Sequence, residues 1–118
     1  METLLKRLRE LPGAEIMKVY SPKSDRRDVI MFTLRGSFTL DRLHAIAKSN
    51  KLLAVEHSTS RLTMLPHNSM SIPHKDIVVI GCTLLPEQNA RFTVTGNRNL
   101  VSANRRRILA FFRRLQMK

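Results

Sequence analysis

Apolar residues recur along this chain in two periods, and the switches between them predict its elements. Leu4, Leu5, Leu8 and Leu11 fall on one face of a helix over residues 2–11. Thr3 is placed to cap its start, and Pro12-Gly13 stops it. A leucine stripe of this kind serves packing, within the chain or across a dimer. EIMKVY, residues 15–20, is compatible with a short strand, and the charged loop SPKSDRRD follows. DVIMFTLR, residues 28–35, is rich in β-branched and aromatic residues and reads as a strand ended by Gly36. TLDRLHAIAKSN returns to helical spacing, with Leu40, Leu43, Ile46 and Ala47 on its inner side and Thr39 or Ser37 as cap.

LLAVEHS and RLTMLPH flank the polar STS, the pattern of a hairpin. The loop NSMSIPHK leads into DIVVIGCTLL, the most apolar run of the chain, and PEQN supplies a turn. ARFTVTG then alternates, with Phe92 and Val94 on one face and Thr93 and Thr95 on the other. A helix closes the sequence, capped by Asn99 or Ser102. The expected fold is α+β: an antiparallel sheet of four to five strands with helices on one face, plus a short N-terminal helix. Residues 1–118 read as a single domain, with 1–13 a helical extension and 14–118 the body.

The closing helix carries the strongest charge signal. From Ala90 to Lys118 there are seven arginines, one lysine and no Asp or Glu. At 100° per residue, Val101, Ile108, Phe112 and Leu115 share one side. Arg106 and Arg113, and Arg107 and Arg114, are each seven apart, close to two turns, so these four line a stripe opposite the core, with Arg105 at its margin. Cations near a helix C-terminus suit the dipole, which accounts for Arg113, Arg114 and Lys118. It does not account for Arg105, Arg106 and Arg107, nearer the positive end. An unpaired cluster of guanidinium groups points to an anionic partner, and their planar donor forks suit phosphate.

Composition sharpens this reading. The net charge is +12 on 118 residues. A field of that size attracts polyanions. Cys82 is the lone cysteine, so no internal disulfide forms, and its apolar neighbours predict a buried, inert thiol. The N-terminus lacks a secretory h-region and no apolar run is long enough to span a bilayer, so the expectation is an intracellular protein, cytoplasmic or nuclear, with no integral membrane association. There is no P-loop, dinucleotide fingerprint, nucleophile elbow or HExxH. His67 and His74 flank one polar loop but have no Cys or carboxylate close in sequence, and the acids form no sequence pair typical of catalysis. The expectation is a non-enzyme with no cofactor and no metal.

DVIMFTLRGSFTLDRLHAIAKSN resembles the first strand and following helix of one half-repeat of the TATA-binding protein fold. ARFTVTGNRNLVSANRRRILAFFRRL resembles its last strand, "VTG" turn and long basic helix on the convex side. The resemblance covers about residues 28 to 116. That family inserts phenylalanine wedges from its concave strands into the minor groove. The corresponding RLTMLPH and DIVVIGC hold no Phe, and this chain has one half where the family has two, so a full saddle requires a second copy. The resemblance therefore implies a sheet with a basic helix more than it implies TATA-box binding.

The function these features predict is phosphate-mediated binding of DNA or RNA by a small non-catalytic protein with a regulatory role. Arg105, Arg106, Arg107, Arg113 and Arg114 carry it, and Arg91, Arg98 and Arg61 extend the patch. The alternative is a protein–protein adaptor or inhibitor that meets an acidic surface with the same arginines, or pairs through a sheet edge, with the first helix serving a homodimer. A peripheral membrane role fits less well, because the apolar side of the last helix is needed by the fold.

Overall fold

The computed structural model describes residues 2–22, 26–67, 69, 71–73 and 76–117. The elements run α1 (Glu2–Arg9), β1 (Ala14–Tyr20), β2 (Arg27–Leu34), α2 (Leu40–Ser49), β3 (Leu52–Glu56), β4 (Arg61–Pro66), β5 (Val78–Leu84), β6 (Ala90–Asn97), α3 (Arg98–Ala103) and α4 (Arg105–Gln116). The fold is α+β, as expected, but the antiparallel sheet has six strands in the order β1-β2-β6-β5-β4-β3, not four to five. The difference is at the edge. EIMKVY pairs with β2 along its length despite its weak alternation, because a register shift at Met17 lets the strand follow its neighbour.

Strand alternation sorts the sheet into two faces. Ile30, Phe32 and Leu34 of β2 lie opposite Val94, Phe92 and Ala90 of β6, and all six are buried. Ile80 and Cys82 of β5 and Leu62 and Met64 of β4 continue this layer. Helices cover it. Leu43 and Ala47 of α2 are buried, and so are Leu4, Leu8 and Leu11 beside α1, all in one cluster with α4. The N-terminal helix is thus part of the body and not an extension. Leu4, Leu8 and Leu11 are buried within the chain, and Leu5 is half-buried at the edge of the same cluster.

The centre of the core is aromatic. Phe112 presents its ring edge-on to Phe32, Phe92 and Phe111, with centroids 5.0 Å away in each case. Phe38 closes the group against Phe92 at 6.0 Å. Edge-to-face rings at such distances add to the burial energy of their area. All five phenylalanines of the chain are buried, so none stands on the opposite sheet face.

Local chemistry fixes the joints. Thr39 caps α2, its Oγ1 accepting from the Arg42 N–H at 3.2 Å. Asn97, and not Asn99 or Ser102, caps the closing helical segment by accepting from the Asn99 N–H at 2.9 Å. That segment bends at Asn104, which separates α3 from α4. Gly96 is required by crowding: a Cβ there would lie 2.6 Å from the carbonyl oxygen of Ile77, the residue before β5. The turn 86–88 carries Glu87 and Gln88 at φ 66° each, the left-handed region.

Phe112→Ala should cost about 3–5 kcal/mol, through lost transfer energy and the cavity left between sheet and helix. Urea denaturation reads this directly, and near-wild-type stability would mean that α4 does not close the core.

Candidate functional site

The basic face of α4 follows from how the helix is docked. Ile108, Leu109, Phe111, Phe112 and Leu115 are buried, which fixes the rotation of the helix about its axis. Arg106, Arg107, Arg113 and Arg114 are then exposed on the far side, around the exposed Ala110. From Arg106 to Arg114 the stripe rises about 12 Å at ~1.5 Å per residue. Among the described residues no carboxylate lies within ion-pair distance of these four. Arg105 differs: it is half-buried and its Nη1 donates to the Ser102 carbonyl at 2.9 Å, tying α4 to α3 across the bend.

Three sequence-predicted members do not join the stripe. Arg98 is held inside the fold. Its Nε donates to Asp28 Oδ1 at 2.9 Å and its Nη2 to the Pro22 carbonyl at 2.8 Å. Asp28 is 1% exposed, and Ser21 donates to the same carboxylate at 2.6 Å. This arginine compensates a buried charge, 70 residues away in sequence. Arg91 lies on the opposite sheet face. Ala90 and Phe92 on either side of it point into the core, so alternation turns Arg91 outward, in a row with Thr33, Thr83 and Arg61. Arg61 therefore belongs with Arg91 and not with α4.

Other basic groups become visible only in the fold. Arg42 of α2 clasps the end of α4, donating to the carbonyls of Arg114, Leu115 and Met117. A cation at that position suits the negative end of the helix dipole. Lys6 and Arg9 are exposed on α1, which packs beside α4, while Arg7 is paired with Glu10 at 3.3 Å. Neither Lys6 nor Arg9 is among the sequence-predicted residues, and local periodicity cannot place α1 next to α4.

The groups able to do other chemistry are dispersed. His44 Nε2 meets Glu56 Oε1 at 2.6 Å between α2 and β3, and His57 bonds Thr63 at 2.7 Å. His67 is exposed, and His74, its suggested partner, lies outside the described residues, as does Lys118. Cys82 is buried in the sheet, and desolvation pushes its thiol from 9.0 up to about 12. Among the described residues no helix is long and apolar enough to cross a membrane.

Comparison with protein-family models, with curated proteins and with solved structures found no match for this chain. The site has to be read from its own geometry.

Arg98→Gln should lower stability by about 3 kcal/mol, because it leaves the Asp28 carboxylate buried without its cation. An unchanged urea midpoint would show that the pair does not hold the fold. Cys82 gives a separate test with pH. Above pH 9 the thiol ionises in the unfolded chain but stays protonated in the fold. The native state then binds more protons, so stability falls as pH rises from 9 towards 12, by up to about 1.4 kcal/mol per unit. Cys82→Ala should remove that slope relative to wild type, measured by denaturation at several pH values. Parallel slopes would contradict the assignment.

Proposed function

We propose that this chain is a small non-catalytic nucleic-acid-binding protein, acting in a regulatory role, that grips phosphates with the outer face of α4. What supports the reading is one observation: Arg106, Arg107, Arg113 and Arg114 stand exposed, with no acidic partner among the described residues, on a helix whose other side is locked into the core. Stability alone does not call for four adjacent unpaired cations, since like charges at helical spacing cost a few tenths of a kcal/mol per pair. Arg105 contributes from the margin. Arg91 and Arg98 drop out of this surface, Arg98 because it serves Asp28 and Arg91 because it faces the other way.

The half-repeat resemblance would instead put nucleic acid on the uncovered sheet face, where Arg61 and Arg91 stand. The two surfaces can be separated. Each phosphate neutralised on duplex DNA contributes about −0.9 to the slope of log K against log[salt], and about −0.7 on single strands. Four contacts give a slope of about −3.6 on duplex and about −2.8 on single strands. Replacing Arg106, Arg107, Arg113 and Arg114 with Gln should weaken binding across sequences and flatten that slope, while Arg61→Gln with Arg91→Gln should change it little. The reverse result moves the interface to the sheet. Absence of binding to double-stranded DNA, single-stranded DNA and RNA at low salt overturns the proposal.

One observation favours a second reading, a protein partner added at the sheet edge. Met17, Val19 and Tyr20 of edge strand β1 are exposed by 54%, 37% and 47%. Such an edge offers unpaired backbone groups beside apolar side chains. The shift at Met17 interrupts the edge, so any added strand would pair over a short length.

A further inference from the structure

The helices do not cover the inner sheet face completely. Between the end of α2, the first residues of β3 and β5, and the N-terminal half of α4 lies a cavity of about 370 Å3. Its apolar wall includes Met64, Ile80, Ile108 and Phe111, which are buried, and the half-buried Leu52. The volume falls in the range of small-molecule sites, about 300–1,000 Å3.

The polar side of this cavity has one sign. Lys51 and Arg107 line it and are exposed, and no carboxylate is among the lining residues. The neutral amides are already committed: Asn50 Nδ2 donates to the Ile46 carbonyl and Asn104 Nδ2 to the Leu100 carbonyl, each at 2.8 Å. The carbonyls at the end of α2 are likewise capped, by the N–H groups of Asn50 and Lys51. The charged donors at this cavity are therefore an ammonium and a guanidinium beside an apolar hollow.

We propose that this cavity binds a small anionic amphiphile, its apolar body against Leu52, Ile80 and Phe111 and its carboxylate or phosphate head between Lys51 and Arg107. Charge complementarity selects the head, since ionised acceptors form the stronger bonds with such donors. The hollow selects the body. The inference does not rest on the nucleic-acid reading, although Arg107 is common to both: it rests on the apolar wall, of which a polyanion without an apolar moiety makes no use.

Four probes separate the terms: octanoate, octyl phosphate, octanamide and inorganic phosphate. Titration followed by 1H–15N NMR should show octanoate and octyl phosphate shifting the amide signals of Leu52, Ile80 and Phe111 saturably, and more tightly than octanamide or inorganic phosphate. The double variant Lys51→Gly, Arg107→Gln should weaken both anionic amphiphiles at least tenfold and leave octanamide within about twofold. It should fold, because Lys51 sits at φ 59°, a conformation glycine adopts freely, and Arg107 is exposed. Ala110→Trp, at an exposed lining position, should obstruct all three eight-carbon probes. The proposal is overturned if no probe binds saturably at millimolar concentration, if the shifts map elsewhere, if inorganic phosphate or octanamide binds as well as octanoate, or if the double variant does not discriminate between charged and neutral heads.

Discussion

The structure depends on the seating of Phe112 against the sheet. Its ring meets Phe32, Phe92 and Phe111 at the same centroid distance, 5.0 Å, and so is held from strand and helix at once. A close-packed aromatic contact tolerates little rotation of the helix that carries it. Rotation is what decides which residues of α4 see solvent. The arginine stripe is therefore a consequence of ring packing on the other side of the helix, and each turn of α4 presents its guanidinium groups from a fixed backbone.

The chain's cations divide into two kinds. Arg42, Arg98 and Arg105 have structural employment: one closes a helix terminus, one answers a buried carboxylate and one stitches a bend. Arg106, Arg107, Arg113 and Arg114 have none among the described residues. The net charge of +12 does not distinguish these kinds, because it counts the half-buried partner of Asp28 like a solvated group. Only their placement does, and it narrows the candidate surface from eight arginines to the four of the stripe and Arg105 at its margin.

Much of this was legible from residue order. The leucine stripe of α1, the inner side of α2, the alternation of β6 and the two-sided character of α4 all follow from local periodicity, which packing then obeys. The sequence expectation groups Arg91 with the closing helix, although the alternation that sets Phe92 and Val94 on one face puts Arg91 on the other. What was not legible is long-range. Asp28 and Arg98, or Arg42 and the end of α4, meet across about 70 residues, and no local pattern records them. EIMKVY reads only as compatible with a strand and is not counted firmly into the sheet, because at the edge most of its residues are exposed and burial imposes little alternation. The cavity is a property of the gap between two helices, and the sequence of neither one specifies it.

The pairing of β2 with β6 has a kinetic consequence. Residues 27–34 wait for residues 90–97 before the middle of the sheet exists, and Phe112 comes later still in chain order. The hairpins β1–β2 and β3–β4 form from neighbouring segments, but joining them means closing a loop of more than fifty residues first, the step that slows sheets with distant partners. During synthesis, at roughly 5–20 residues per second, the inner face bearing Ile30, Phe32 and Leu34 lacks its cover from α4 until residues 105–116 have emerged. For those seconds the nascent chain shows an apolar surface on a strongly cationic polymer.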